Sequence, residues 1–240
     1  YLSNHEAGVD DRQIVPNKKL PMVAQAVFAQ CKAQRVEDAP GLASDPFLND
    51  PLSCNPDLEA LVCTDGDGAD CLTRPEADAL QAMYDGPRDA ETGERIYFGW
   101  PVGSENAGTN PDRPGWSNYW SDFASTERPA RVSFWQIWAF DDEEWSWWDV
   151  DLGPDMARAD DRLAERVNAM APDLRPFRDA GGKMIHYHGL ADPVVPAADS
   201  ISYWRRLQQA TGGSEDFHRL FLVPGMEHCG GGSGPNRLSL

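Results

Sequence analysis

The sequence predicts an α/β fold in which a large, loop-rich and tryptophan-rich insertion precedes the last strands of a parallel sheet. Two observations lead to this prediction. Residues 172–240 alternate two short apolar runs with one amphipathic helix, which is the pattern of a βαβ unit. Residues 31–171 hold most of the 19 prolines, and eight of the nine tryptophans fall between Trp100 and Trp148. A segment of that composition does not form a regular sheet.

Residues 1–30 are predicted to be a connector from the core to the insertion. They begin with a loop and continue as a helix over Lys19–Lys32. The helix is indicated by apolar residues at helical spacing, namely Leu20, Val23, Ala24, Val27 and Phe28.

The insertion, residues 31–171, ends in a strongly acidic stretch. Residues 141–161 contain nine acidic side chains and one basic side chain, Arg158. Such a charge run is typical of a solvated face, and we expect a helix from about Pro154 to Ala169 within it.

The C-terminal unit, residues 172–240, divides directly into elements. The run GGKMIHYHG predicts a strand ended by glycine, and FHRLFLV predicts a second strand. Between them, Asp199–Ala210 has the apolar spacing of a helix, which Gly212 and Gly213 close. The strands should be parallel with a right-handed crossover. The loops ADPVVP and PGMEHCGGG should then follow their carboxyl ends.

Asp192 and His228 occupy these two loops. Functional side chains of parallel sheets lie beyond the carboxyl ends of the strands, so the two residues can meet. An Asp followed by a His matches the last two members of the Ser, Asp, His order of α/β-hydrolases, in which the His is the general base and the Asp orients it. No serine has the GxSxG elbow of the nucleophile. Ser104 and Ser233 come nearest, but neither lies between a predicted strand and a predicted helix.

The chain has five cysteines, an odd number. The short spacing from Cys63 to Cys71 predicts a small disulfide loop, and Cys31 with Cys54 is the natural second pair. Cys229 is then left without a partner in this chain. The cysteines have no CxxC motif and no histidine near the cluster, which disfavours structural zinc. Two disulfides indicate an oxidising compartment, so we expect a secreted or periplasmic protein.

The charge and hydropathy disfavour two classes of partner. With 21 Lys and Arg against 39 Asp and Glu, the formal net charge is −18. Nucleic acids and anionic membrane surfaces are therefore not expected as partners. The longest largely apolar run, Val132–Phe140, is about half of the roughly 20 residues that a spanning helix needs. The chain begins at Tyr1 and shows no signal peptide, so we expect a mature chain or a fragment.

Two C-terminal runs, GGKMIHYHGLADPVVP and DFHRLFLVPGMEHCGGGSGPN, resemble the end of the tannase and feruloyl esterase family. The resemblance implies an α/β-hydrolase with a lid, here residues 31–171, and places the family's Asp on Asp192 and its His on His228. It also places on Cys229 the cysteine that this family joins to a cysteine preceding the nucleophilic serine. The family's GCSxGG segment is absent from this chain.

This resemblance implies a serine esterase that hydrolyses aromatic carboxylic acid esters of the feruloyl, galloyl or terephthalate monoester type. Its serine would come from a segment or chain that is not in this sequence. We therefore expect a partner, the nucleophile-bearing N-terminal half, disulfide-linked through Cys229. The small aromatic ester is the expected substrate.

Within the lid, GWSNYW and ARVSFW resemble the terephthalate monoester hydrolases of the same family. The resemblance implies that Tyr119 and Trp135 contact the substrate ring and that Arg131 binds a distal carboxylate. A planar guanidinium suits this task because it binds a carboxylate through two hydrogen bonds. Val195 is a further candidate for the acyl pocket. The alternative is that Trp135 and Trp138 belong to the core and that Arg131 pairs with one of the many acids.

No cofactor is predicted. The resemblance implies a calcium loop after the first lid cysteine, but Lys32 and Arg35 stand where ligand carboxylates are expected. A second cluster, Asp65, Asp67 and Asp70, lacks the glycine and glutamate positions of an EF-hand.

Two readings from other classes remain open. His186 and His188, followed by Asp192, could be metal ligands of a metallohydrolase. The alternative interpretation is that they are two histidines on a buried strand without a metal. The pattern of dinuclear metallohydrolases, with its Asp two residues after the second His, is not met. A non-catalytic binding module or pseudoenzyme would explain both the tryptophan-rich segment and the absent nucleophile.

Overall fold

Helix α1 forms the centre of the first hydrophobic core. The computed structural model describes residues 2–6, 13–33, 44–105, 115–116 and 132–235. In it, α1 spans Leu20–Ala33, within one residue of the predicted helix at each end. The side chains of Leu20, Val23 and Val27 are almost completely buried. They pack in one cluster with Leu72 and Leu80 of the following segment.

Two disulfides hold the loops that follow α1. Cys31 is joined to Cys54, and Cys63 is joined to Cys71. These are the two pairs predicted from the sequence. The first ties the end of α1 to a distant loop, and the second closes a short loop, so both restrict a segment with little regular structure of its own.

Helix α2, Arg74–Asp85, lies inside the segment that the sequence predicts only as loop-rich. It begins with a capping box, in which the Thr73 side chain accepts from the backbone N–H of Glu76 and the Glu76 side chain accepts from that of Thr73. It ends at Gly86, which has a φ of 78°. The T-x-x-E pattern that indicates a capping box is therefore present in the sequence at Thr73 and Glu76.

The second hydrophobic cluster joins a π-helical segment, Phe134–Phe140, to helix α3, Pro154–Val167. Helix α3 begins at the predicted residue and ends two residues before the predicted end. Aromatic rings fill the cluster, among them Trp135, Phe140, Trp145 and Trp147. The acidic side chains of this region are mostly exposed.

The C-terminal unit contains a short helix α4, Arg175–Asp179, and then strand β1, Met184–Gly189, helix α5, Ala197–Thr211, and strand β2, His218–Val223. The strands pair in parallel, with Met184 opposite His218 and Gly189 opposite Val223. The parallel βαβ unit predicted from the sequence is confirmed. The handedness of its crossover stays a prediction, as does the division into connector, lid and C-terminal unit.

One face of this small sheet is open. Ile185, Tyr187 and Phe221 point to the same face, where they are 55%, 44% and 53% exposed. The other face carries His186 and His188, which contact helix α5 through hydrogen bonds described below. No helix in the described part of the chain has the length and apolar character needed to span a bilayer.

Candidate active site

The loops after β1 and β2 meet at the carboxyl edge of the sheet. Leu190 N donates to Val223 O at 2.9 Å, and Ala191 N donates to Met226 O at 3.0 Å. Gly189 makes this approach possible, because a β-carbon at that position would lie 2.1 Å from Met226 O. A glycine at the end of β1 therefore lets the two backbones come together.

This approach brings Asp192 and His228 into contact. Nδ1 of His228 donates to Oδ2 of Asp192 at 3.0 Å. With the proton on Nδ1, the neutral ring leaves Nε2 free to accept another proton. The His228 side chain is 39% exposed, whereas that of Asp192 is 5% exposed. An oriented, accessible imidazole backed by a buried carboxylate is the arrangement that a hydrolase triad requires.

The Asp192 carboxylate is held by four contacts. Oδ1 accepts from the backbone N–H groups of Val194, at 2.8 Å, and Val195, at 3.0 Å. Oδ2 contacts His188 Nε2 at 3.4 Å as well as His228 Nδ1. Burial alone would raise the pKa of the Asp192 carboxyl, but the hydrogen bonds from His188, Val195, His228 and Val194 outweigh burial and hold that pKa below its ordinary value. Asp192 therefore stays ionised.

Glu227, directly before His228, is a buried acid that the sequence analysis missed. It is 8% exposed, and within the described part of the chain its Oε1 has no hydrogen-bond partner. Burial, and then the charge of Asp192, raise the pKa of Glu227 to about 7. Its position beside the predicted histidine was visible in the sequence, but its burial depends on how the loop folds.

Cys229 follows His228 and is exposed. It is the cysteine that lies outside the two disulfides, and all five cysteines are among the described residues. Its φ is 60°, in the left-handed region that residues other than glycine seldom adopt.

The substrate contacts expected from the resemblance are only partly described. Tyr119 and Arg131 lie outside the described residues. Trp135 stacks on Phe140 and Trp145, with both pairs of ring centroids 5.9 Å apart, which favours the alternative that it belongs to the core. Trp138, by contrast, is 56% exposed. The part of Val195 that contacts the site is its backbone, through the N–H bond to Asp192.

The two serines nearest to the elbow pattern are engaged elsewhere. Ser104 is buried, donates to Pro101 O at 2.6 Å and accepts from Trp116 Nε1 at 2.9 Å. Ser233 donates to Pro46 O at 3.2 Å. Neither of these two hydroxyls is directed to His228 by these bonds.

The residues weighed as metal ligands make other contacts. His188 Nδ1 and His186 Nε2 contact Ser200 Oγ at 2.7 and 3.1 Å. In the second acidic cluster, Asp67 accepts from the buried Lys19 ammonium at 2.6 Å, so a lysine stands beside this carboxylate. The described residues contain no group of three or more His, Cys, Asp or Glu side chains suited to hold a metal ion. Arg35 lies outside them.

A cavity of about 380 Å³ lies beside the loops of the site. Phe28 of α1, Phe47, Glu105, Ala191 and Gly225 are among its lining residues. It offers space that a substrate or a further segment of protein can occupy.

Comparison with known proteins gives a consistent result. The family model described as "Tannase and feruloyl esterase" matches residues 1–240. An esterase of Xanthomonas campestris, described as uncharacterized, is 32% identical over 243 residues, which cover 90% of this chain and 40% of that protein. Mono(2-hydroxyethyl) terephthalate hydrolase of Piscinibacter sakaiensis is 30% identical over 255 residues, covering 92% of this chain and 41% of the relative. Feruloyl esterase B of Aspergillus niger is 28% identical over 238 residues, covering 94% and 41%.

Solved structures resemble the chain over nearly its whole length. Feruloyl esterase B from Aspergillus oryzae superposes with a TM-score of 0.77 at 23% identity and covers 97% of this chain and 44% of its own. Tannin acyl hydrolase from Aspergillus niger superposes with a TM-score of 0.69 at 21% identity, covering 98% and 46%. The chain therefore has part of the α/β-hydrolase fold of these proteins. It spans about two fifths of the length of the curated relatives named above.

Proposed function

The chain belongs to the tannase and feruloyl esterase family, and on that premise we propose that it carries the acid and the histidine of a serine esterase. The observation that carries the proposal is the 3.0 Å hydrogen bond between His228 Nδ1 and Asp192 Oδ2. The nucleophilic serine and the oxyanion donors come from the part of the full-length protein that this chain does not include.

In the proposed mechanism, Nε2 of His228 takes the proton of the serine hydroxyl while the serine oxygen attacks the ester carbonyl. The tetrahedral intermediate collapses, the bond to the alcohol breaks, and the alcohol leaves with the proton from His228. Water then attacks the acyl-enzyme with the same base, which releases the acid and regenerates the serine. Asp192 holds the ring of His228 and stabilises the imidazolium in both steps.

Cys229 links this chain to the nucleophile in the proposal. Its exposure and its place outside the two disulfides support a disulfide with the cysteine that precedes the serine in this family. Such a bond fixes the His228 loop to the nucleophile loop. The two internal disulfides support a secreted or periplasmic location, where this bond can persist.

Esters of aromatic acids are the proposed substrates. The names of the relatives refer to feruloyl esters, tannins and a terephthalate monoester, and the lid of this chain is rich in aromatic residues. The choice among these acids depends on lid residues such as Arg131 and Tyr119.

The test uses the full-length protein with methyl ferulate, methyl gallate and mono(2-hydroxyethyl) terephthalate. We expect turnover of at least one ester and covalent labelling of one serine by a fluorophosphonate probe. A folded protein that hydrolyses none of the three and takes up no label would support a binding module instead.

A further inference from the structure

A second histidine lies behind the Asp192 carboxylate. Nε2 of His188 is 2.8 Å from the carbonyl oxygen of Val195 and 3.4 Å from Asp192 Oδ2. The His188 side chain is 13% exposed, in contrast to the 39% exposed side chain of His228. One carboxylate oxygen is thus shared by the accessible His228 and the less exposed His188.

The hydrogen-bond partners fix the protons of His188. A carbonyl oxygen only accepts, so Nε2 must carry the proton that it directs to Val195 O and to Asp192. In the neutral ring, Nδ1 then accepts from the hydroxyl of Ser200 at 2.7 Å. The Ser200 oxygen can in turn accept from Nε2 of His186 at 3.1 Å. All protons of this chain of contacts point towards Asp192.

The same hydrogen-bond partners can also accept the protons of a doubly protonated His188 ring. Nδ1 then donates to Ser200, and the serine hydroxyl turns to donate to His186. Burial alone would lower the pKa of His188, but the hydrogen bonds to Asp192 and Val195 and the charge of Asp199 raise it above its ordinary value. Burial, followed by the charges of His218 and His188, lowers the pKa of His186. A proton entering the pair therefore goes to His188.

Other charged groups surround this pair. Asp199, at the start of α5, accepts from the hydroxyl of Tyr97 at 3.1 Å. On β2, the ring of His218 lies 5.8 Å from that of His186. In the loop after β2, His228 donates to Asp192, and the charge of Asp192 acts on Glu227.

We propose that His188 is a positioning residue of the esterase: its Nε2–H holds the Asp192 loop and aligns Oδ2 with His228, while the carbonyl oxygen of Val195 sets the tautomer of His188 and Ser200 contacts its Nδ1. The inference rests on the proposed function, since it concerns how Asp192 is held for its task. In this role His188 acts through Asp192.

Two substitutions distinguish the role of Nε2 of His188 from that of Nδ1. A Gln places an N–H donor near the position of Nε2, whereas an Asn reaches only the position of Nδ1. In the full-length protein, we expect His188→Asn to lower kcat about 10- to 100-fold with little change in KM, the loss of one buried hydrogen bond to a charged group. His188→Gln should stay within about fivefold of the wild type.

The pH profile distinguishes positioning from mere packing. A protonated His188 beside Asp192 opposes a second positive charge on His228, so His188→Gln should move the acid limb of kcat/KM to higher pH. His218→Phe is the matched control. His218 is a buried ring on the same sheet, and neither of its nitrogens has a hydrogen-bond partner in the described part of the chain. The His218→Phe variant should leave the pH profile of kcat/KM unchanged.

A measurement on the wild type needs no variant. Long-range ¹H–¹⁵N correlation spectra of the histidine rings should show His188 as the Nε2–H tautomer above its pKa, and an Nδ1–H tautomer would overturn the proposal. Equal kcat losses in His188→Asn and His188→Gln, or wild-type kinetics in His188→Asn, would also overturn it. A wild type that hydrolyses no ester would instead remove the proposed function, and this inference with it.

Discussion

Asp192 and His228 are 36 residues apart in the chain and are joined by a hydrogen bond of 3.0 Å. The parallel pairing of β1 and β2 produces this contact, because it brings both carboxyl ends to one edge of the sheet. Gly189, which ends β1, has no side chain, and the two loops can therefore approach each other closely.

Gly189→Ala should separate these loops. The new β-carbon would lie 2.1 Å from Met226 O, so the backbone must move. We expect a loss of at least about 2 kcal/mol in the free energy of unfolding and a strong fall in activity, measured by denaturant unfolding and ester hydrolysis. Gly181→Ala is the control, since φ at Gly181 is 85° but nothing lies within 4 Å of the added carbon. It should cost only about 1 kcal/mol. A Gly189→Ala protein as stable as this control would contradict the steric argument.

Glu227 should make stability depend on pH. Its pKa is raised to about 7 in the folded protein, from an ordinary value of 4.5, so the native state binds more protons than the unfolded state between these values. Stability therefore falls as pH rises through this window. Glu227→Gln removes the effect, so the Tm of the variant relative to wild type should increase from pH 4.5 to about 7 and then level off. A Tm difference that is the same at all pH values would show that folding does not raise the pKa of Glu227.

Cys229 should be cross-linked in the full-length protein. Digestion of the oxidised protein, followed by mass spectrometry, should recover the peptide of Cys229 joined to a cysteine peptide of the nucleophile-bearing half. The Cys63–Cys71 loop serves as the internal control, because it should be recovered as an intrachain disulfide. Alkylation of Cys229 in the folded protein without prior reduction would contradict the cross-link.

Arg131→Ala should impair only substrates with a distal carboxylate. For mono(2-hydroxyethyl) terephthalate we expect kcat/KM to fall about 10- to 100-fold, because a charge-assisted hydrogen-bond pair is lost. A neutral benzoate ester should change by less than about threefold. Arg166→Ala, an exposed arginine on α3, controls for the loss of a positive charge in the lid. Equal losses on both substrates would reject the carboxylate clamp.

Much of the C-terminal unit was predictable because its signals are local. The apolar runs of β1 and β2, the helix between them and the loop positions of Asp192 and His228 follow from sequence periodicity and strand order. The family resemblance made the roles of these two residues explicit.

The contacts that hold the site were not predictable in the same way. Ser200 reaches His188 across 12 residues of chain, and this contact depends on how α5 packs on the sheet. The burial of Glu227 depends on the fold of one loop. Lys19 donates to Glu76 across 57 residues of chain, so no local sequence pattern indicates this contact.

The central claim is that His228, oriented by Asp192, is the general base of an esterase. The most direct measurement is kcat for the best ester in the full-length protein, compared among wild type, His228→Ala, Asp192→Asn and His218→Phe. We predict losses of about 10⁴-fold or more for the first two variants and kcat near that of the wild type for His218→Phe. A His228→Ala protein that keeps kcat within tenfold of the wild type would contradict the account.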